Sequence, residues 1–494
     1  MALSVEQQEA FDGRLKKLKE LKGLGIAIYP SSYERTDHMQ GLQDRYASLE
    51  TGTHTEETVR IAGRILSMRN SGMFLDLHDD SGKIQVFCKE PALSSLSLEI
   101  LKRLDLGDFI GVQGLLRRTP RGELTVDAQE LTFLSKSFMV LPDKYHGLND
   151  TEIRYRQRYI DLMVNARSRE TLLRRSKVIS CFREILEGQG FLEVETPMLH
   201  PIAGGALARP FLTHHNALET DLYLRIAPEL YLKRLIVGGL SEKIFEINRC
   251  FRNEGISTRH NPEFTSLEVY QAYVDFETMM ALTETLVIGT AQKVLGTWDV
   301  MYGGREISLK GPWRRASMAE LVMQETGLDF LSISSDEEAR KAVSSLGISL
   351  PSQGGWGKML ETVFAEKVES TLIQPTHVTH FPLEISPLAK AFPGDARLTE
   401  RFETYINGWE IANGFSELND PVDQKERFMA QERAREAGEQ EIHAMDEDFV
   451  TALSYGLPPT GGLGIGMDRL VMILTDAQSI REVIAFPTLK PKFS

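Results

Sequence analysis

Cysteine is scarce, with 3 residues in a chain of 494. Cys88, Cys181 and Cys250 lie too far apart for a disulfide framework or a CxxC metal knuckle. They read as small buried hydrophobes. No run approaches the ~18 apolar residues of a membrane span, so no membrane partner is expected. The N-terminus, Met-Ala-Leu-Ser-Val-Glu-Gln-Gln, has neither the basic region nor the apolar core of a secretory signal. Together these absences imply a reducing cytoplasm. Three catalytic signatures are also missing. Without GxxxxGK[ST], any ATP sits outside a P-loop, and without HExxH or GxSxG, zinc-protease and serine-hydrolase chemistry lack support. No zinc is expected. The net charge of −14, from 56 Lys+Arg against 70 Asp+Glu, argues against a general nucleic-acid coat but leaves room for a local basic face.

The length suits two to four domains at ~100–200 residues each. Val5–Leu21 reads as a helix, with Phe11, Leu15 and Leu18 on one stripe and Gly23 and Gly25 beyond its end. Arg14, Lys16, Lys17, Lys19 and Lys22 fall on the outward side, as a solvated face or as an RNA contact. From Thr58 to Phe133, strand-like runs recur at Val59–Ile65, Gly72–His78, Lys83–Cys88, Asp108–Leu116 and Glu123–Phe133. Ser94–Leu104 reads as a helix between the third and fourth. That order predicts an OB-type barrel. A four-residue turn at Asp79–Gly82 pairs Asp76 with Gln85 and Phe74 with Phe87, putting all four on one face. An aromatic beside an amide suits a single-stranded base, although phenylalanines at those positions also suit a barrel core. Arg69, Lys83, Arg117, Arg118 and Arg121 are candidate phosphate contacts. Leu141–Asp150, with Pro142 and Gly147, reads as a linker. Glu152–Leu186 reads as helical and rich in arginine. The rest mixes helices and strands without a βαβ beat, so the fold class is α+β with an antiparallel sheet.

Three later segments carry the chemistry. They are Gly190-Phe191-Leu192-Glu193-Val194-Glu195-Thr196-Pro197; Phe251-Arg252-Asn253-Glu254 with Arg259-His260-Asn261-Pro262-Glu263-Phe264; and Gly462-Leu463-Gly464-Ile465-Gly466-Met467-Asp468-Arg469. In order they resemble motifs 1, 2 and 3 of class II aminoacyl-tRNA synthetases. Too little chain follows Gly464 and Gly466 for a dinucleotide fold, so the glycines read as a strand that lets a nucleotide lie against backbone. Arg252 suits a bidentate clamp on a carboxylate and the α-phosphate. Phe264 and Arg469 suit an adenine sandwich. Arg259 and His260 suit the outer phosphates. Asn407-Gly408 predicts a two-residue hairpin that pairs Tyr405 with Glu410 and Glu403 with Ala412, setting Glu403 and Glu410 diagonally for a shared cation. Asn413, Phe415 and Glu417 follow at period two. Strict alternation puts Glu410 and Glu417 on opposite sides, and a kink at Gly414 is one way to reconcile them.

Further stretches extend the resemblance over nearly the whole chain: Gly204-Gly205-Ala206, Arg209-Pro210-Phe211, Thr213-His214-His215-Asn216, Arg225-Ile226-Ala227-Pro228-Glu229-Leu230 and Asn413-Gly414-Phe415-Ser416-Glu417-Leu418-Asn419. The chain is similar to bacterial-type lysyl-tRNA synthetases, in the subgroup shared with the aspartyl and asparaginyl enzymes. The resemblance implies residues 1–145 as a helix plus OB anticodon-binding domain and 146–494 as the catalytic domain. It implies Glu229 and Glu417 as holders of the lysine ammonium. Gly205, Arg252, Glu254, Glu268, Tyr270, Asn413, Phe415 and Gly464 complete that pocket. Arg252, Glu254, Arg259, His260, Asn261, Phe264, Glu403, Glu410 and Arg469 are implied at ATP, with Arg252 and Arg469 catalytic. Glu403 and Glu410 are implied at Mg²⁺, and Phe74, Gln85 and Glu130 at the anticodon. The implied partners are L-lysine, ATP, tRNA(Lys) and a second copy in a homodimer. Charge agrees: an aspartate site needs a cation where the side chain ends, whereas two acids suit an ammonium. On this reading both acids face the cavity and no basic residue stands at its floor.

Overall fold

The computed structural model describes residues 4–141, 150–202, 204–205, 208–349, 354–436 and 445–491. Most of the expected linker, with Pro142 and Gly147, and Ala206 of the Gly204-Gly205-Ala206 stretch lie outside the described residues. The chain divides into two compact units, Met1–Gly147 and Leu148–Ser494. Among the described residues no helix is long and apolar enough to cross a membrane. All three cysteines are buried and free, as expected.

In the first unit the opening helix spans Val5–Gly23, started by a reciprocal Ser4–Gln7 capping box. Its basic side is less free than expected. Arg14 is buried and donates to the carbonyls of Ser137 (2.7 Å) and Met139 (2.9 Å), and Lys17 pairs with Asp105 at 2.6 Å. These two residues tie the helix to the barrel, and Lys16, Lys19 and Lys22 remain exposed. Five strands, β1 (His54–Arg69), β2 (Phe74–His78), β3 (Lys83–Phe87), β4 (Phe109–Arg118) and β5 (Leu124–Ser135), close a barrel in the order β1-β2-β3-β5-β4. A helix, Ser95–Leu101, lies between β3 and β4. Alternation sends Val59, Ile61, Leu75, Leu77, Ile84 and Val86 into the core. Extra residues, Leu66 in β1 and Gln129 and Leu134 in β5, bulge these strands.

In the second unit, the stretch expected to be helical over 152–186 forms three helices, Thr151–Arg156, Arg158–Val164 and Ala166–Gly188. The break at Gln157 turns Arg158 inward. There it bonds Asp161 at 2.8 Å and the Ala485 carbonyl at 2.9 Å, which satisfies a cation almost wholly removed from water. An eight-stranded sheet follows, in the spatial order 314–317, 376–379, 401–406, 409–416, 460–466, 263–272, 243–251, 192–193. The inner strands pair antiparallel as expected, while the strand at each edge is parallel to its neighbour. One sheet face packs on the Ala166–Gly188, Phe276–Leu295 and Met467–Thr475 helices through Leu267, Val269, Leu463 and Ile465. The other face is left to a cavity.

Candidate active site

The cavity wall follows from strand parity. On 263–272, Leu267 and Val269 enter the core, so Phe264, Ser266, Glu268 and Tyr270 face the cavity. On 460–466, Leu463 and Ile465 are inward and Gly462, Gly464 and Gly466 line the cavity. Gly462 is needed for space: a Cβ there would overlap Glu417 Oε1 and come within 2.8 Å of Tyr270 Cε1.

The hairpin corrects one expectation and resolves another. Tyr405 does pair with Glu410, but Glu403 pairs with Asn413 rather than Ala412. The register shifts between Thr404 and Tyr405 because Ile411 is an extra, bulged residue. The bulge reverses parity once, so Glu410, Asn413, Phe415 and Glu417 all line one cavity. No kink at Gly414 is required.

Glu229 and Glu417 both face the cavity floor, as expected. Glu229 opens the Glu229–Val237 helix, and Glu417 follows the 409–416 strand. They are not bare. Lys233 Nζ donates to Glu229 Oε1 at 2.6 Å and pairs with Glu417. The expectation of no basic residue at the floor is therefore wrong. Residues i and i+4 of a helix are neighbours, and that spacing from Glu229 to Lys233 is the signal that reading Glu229 alone passes over. Lys233 is 1 % exposed and is not among the cavity-lining residues. Burial opposes its charge, but Glu229 and Glu417 outweigh burial and hold its pKa above the ordinary lysine value. Acids still outnumber bases at the floor. Burial, and then Glu229, push the Glu268 carboxyl up to about 8. Burial, with Glu229 and Glu268, also raises Glu417 against the pull of Lys233. Glu229 and Glu417 share one cation, and Glu417 Oε1 has no hydrogen-bond partner. A buried carboxylate oxygen left so calls for a donor from the cavity.

At the opposite end, the Arg252 guanidinium lies 5.1 Å from the Phe264 ring centre, and its Nε is buried without a partner. Arg469 donates to the Glu410 carbonyl at 2.9 Å and to His260 Nε2 at 3.1 Å. A guanidinium only donates, so Nε2 accepts, and Nδ1 carries the proton shared with Ser257 Oγ at 2.9 Å. Burial, and then Arg469, hold His260 below its ordinary pKa, consistent with a neutral ring. Arg259 stacks 4.9 Å from the Trp409 ring centre. Glu254 and Asn261 also line the cavity, although the Asn261 amide is held by the Glu263 carbonyl (2.7 Å) and the Thr488 amide (3.2 Å). Gly205 (φ 90°) and Gly464 line it with bare backbone. Glu403 is not among the cavity-lining residues. It accepts from Arg401 Nη2 and Tyr405 Oη, each at 2.6 Å. Burial, and then Glu410, raise its carboxyl to about 7. Two hard-oxygen carboxylates that repel each other fit a divalent cation of the Mg²⁺ kind.

On the barrel, Phe74 pairs with Phe87 and Asp76 with Gln85, as expected. The two rings lie 4.9 Å apart, half-buried and outside the barrel core. The Gln85 amide is buried, donating to Thr125 Oγ1 at 2.9 Å and accepting from Arg69 at 3.0 Å. The Gln129 bulge turns Glu130 outward, exposed and opposite Gln113 of β4 rather than paired with Phe74 or Gln85. Of the candidate phosphate contacts, Arg118 is spent on the Gly122 and Tyr46 carbonyls, and Arg69 and Arg117 pair with Asp76 and Asp127.

Comparison with known proteins agrees with this geometry. A family model for class II tRNA synthetases (D, K and N) matches residues 150–490, and one for an OB-fold nucleic acid binding domain matches 59–134. A lysine–tRNA ligase of Sinorhizobium medicae is 54 % identical over 485 residues, covering 98 % of this chain and 97 % of its own. One of Carboxydothermus hydrogenoformans is 52 % identical over 489 residues, covering 99 % of each. The chain belongs to the lysine–tRNA ligase family. Within that family fold, two further side chains organise the site without any sequence motif of their own. Arg401 ties Glu403 to Asn413 Oδ1 (3.1 Å), and its period-two spacing from Glu403 is the only hint. Arg175 holds Asp468 and donates to Thr265 Oγ1 at 2.9 Å, docking the ligase's last glycine-rich strand and helix onto the 263–272 strand. Nothing near Arg175 in sequence announces this.

Proposed function

We propose that the protein activates L-lysine with ATP and transfers it to tRNA(Lys). The observation that carries the reading is the partnerless Glu417 Oε1, buried at the floor of a cavity whose other end is lined with arginines. Glu229 and Glu417 receive the lysine ammonium, Phe415 packs on its stem, and Gly205, Glu254, Glu268, Tyr270, Asn413 and Gly464 complete the pocket. Arg252 bridges the lysine carboxylate and the ATP α-phosphate. Phe264 and Arg469 enclose the adenine, and Arg259 and His260 meet the outer phosphates, with Asn261 bracing their loop. Glu403 and Glu410 would hold Mg²⁺, which neutralises charge on the phosphates when bound.

The lysine carboxylate attacks the α-phosphate in line, giving lysyl-adenylate and pyrophosphate. The terminal ribose hydroxyl of tRNA then attacks the carbonyl and releases AMP. No protein nucleophile is required, because positioning and arginine electrostatics lower the barrier. Residues 1–145 serve as the anticodon-binding domain, with Phe74, Gln85 and Glu130 at the bases, and 146–494 as the catalytic domain. A homodimer is part of the proposal. Leu192, Met198, Leu199, Ile202, Leu212 and Leu218 are exposed apolar residues in and after the first motif, which a second copy would cover. The cytoplasm, where tRNA is charged, is the proposed location.

ATP–pyrophosphate exchange across the standard amino acids tests the reading. Exchange with lysine is expected, and its absence ends the proposal. The division of labour has its own test. Phe74→Ala should leave exchange intact and weaken tRNA charging by ~5- to 150-fold, the loss of one stacked base at about 1–3 kcal/mol. Equal loss of both activities would refute it.

The raised Glu268 carboxyl makes lysine binding pH-dependent. At pH 7 a group with a pKa of about 8 is mostly protonated. An arriving ammonium favours its ionised form, so binding expels a proton, and affinity rises with pH up to about 8 and then levels off. The rise should approach but not exceed ~10-fold per pH unit. Calorimetry at pH 7 in buffers of different ionisation enthalpy should show net proton release; none would mean that Glu268 does not sense the substrate.

A further inference from the structure

We propose that Lys233 is a positioning residue for substrate choice: a resident ammonium that aims Glu229 and Glu417 at the cavity and leaves there a place for one further amine. The inference rests on the lysine reading above and goes beyond it, since Lys233 is buried behind the two acids and does not line the cavity.

Three observations on geometry support it. Lys233 Nζ bonds Glu229 Oε1 and pairs with Glu417, joining acids from two separate elements. The ammonium is caged, 5.3 Å from the Phe415 ring centre and 5.9 Å from that of Phe449, and is sealed from water. It also leaves Glu417 Oε1 unpartnered. An exposed i,i+4 pair is worth little, but here all three charges are buried, so the pairing decides their ionisation.

Charge counting gives the role. The groups facing this cluster are Glu229 from its own helix, Glu417 after the 409–416 strand, Glu268 and Tyr270 from the 263–272 strand, and Glu246 and Arg252 from the region of the 243–251 strand. Glu246 is neutralised by Arg225 at 2.7 Å. Tyr270 donates to Glu268 at 3.3 Å and is far from ionising. Lys233 pulls the Glu417 carboxyl down against burial and its acidic neighbours, so two acids face one resident ammonium. A substrate ammonium is the second cation that the cluster lacks. Without Lys233, neighbouring carboxylates in a dry pocket share protons instead. A partly neutral floor selects an amine poorly over an uncharged side chain of the same length.

Lysine-dependent exchange is measured from pH 6.5 to 9 for the wild type, Lys233→Met and Lys233→Arg, with norleucine as the uncharged competitor. Wild-type exchange comes first: its absence ends the lysine reading, whereas its presence with an indifferent Lys233→Met ends only this inference. For Lys233→Met, KM for lysine should rise about 100-fold at pH 7, and the gap should narrow roughly tenfold by pH 9 as the shared proton leaves. KM for ATP should stay within about threefold, and discrimination against norleucine should fall. Lys233→Arg keeps the charge and should stay within about tenfold of wild type, with an unshifted pH profile. A pH-independent loss in Lys233→Met indicates mere packing and overturns the proposal, as does an unchanged KM. If circular dichroism shows that Lys233→Met does not fold, Lys233→Arg decides alone: a flat ratio to wild type across pH supports the role, and a drifting one overturns it.

Discussion

Glu417→Gln should lower kcat/KM for lysine by about three orders of magnitude and leave the fold intact. The fold survives because Lys233 keeps Glu229 as a partner at 2.6 Å. The activity falls because the floor changes charge. In the native site Glu229 and Glu417 outnumber Lys233, and an ammonium entering the cavity finds an acid that no resident cation matches. With glutamine at 417 the remaining pair cancels, and the incoming ammonium must shed water into a neutral, buried site. Losing one partner of a buried charge pair costs about 2–5 kcal/mol, or ~30- to 4,000-fold. The upper part of that range applies here because Glu417 is 1 % exposed and water cannot replace it. Exchange assays at varied lysine and fixed ATP would read the change. A variant within tenfold of wild type would mean that the ammonium is held elsewhere.

The sequence carried the outline of this site because its parts obey local rules. Alternation placed Phe74, Asp76, Gln85 and Phe87 on one face, and the structure keeps that register. The glycine-rich run does become a strand, 460–466, entering a helix at Met467. What escaped depended on single residues that break a period or on partners distant in sequence. Ile411 and Gln129 are bulges, and each re-aims the acid beside it, Glu410 or Glu130. Nothing in composition distinguishes a bulged residue from its neighbours. Arg14 and Arg118 read as surface charges, but their guanidiniums cap backbone carbonyls up to 125 positions away. Lys233 is the instructive case. Its helical spacing from Glu229 is visible in sequence, but only the meeting with Glu417, brought in from another element, turns an ordinary ion pair into the charge balance of the pocket.

Gly462→Ala tests the same pocket by shape and should cost at least ~100-fold in kcat/KM for lysine, because misplacing a binding group by about 1 Å is enough for that loss. Gly462 pairs with Tyr270 on one side and Phe415 on the other, in the middle of the sheet, so its backbone cannot retreat. A methyl group there overlaps Glu417 Oε1 and crowds Tyr270 Cε1 at 2.8 Å. Glu417 must then swing away from the floor or push against Lys233, and in either case the partnerless oxygen no longer points where the ammonium arrives. Gly464, two residues on, supplies a milder control. A Cβ there lies 3.3 Å from Glu268 Oε1, a tight contact rather than an overlap, so Gly464→Ala should be several-fold milder. Because alanine at 462 adds no charge, the defect should persist unchanged from pH 6.5 to 9. That separates it from the charge-dependent loss in Lys233→Met. If Gly462→Ala binds lysine normally, Glu417 has freedom that its packing denies, and the floor would have to be a softer structure than its burial implies.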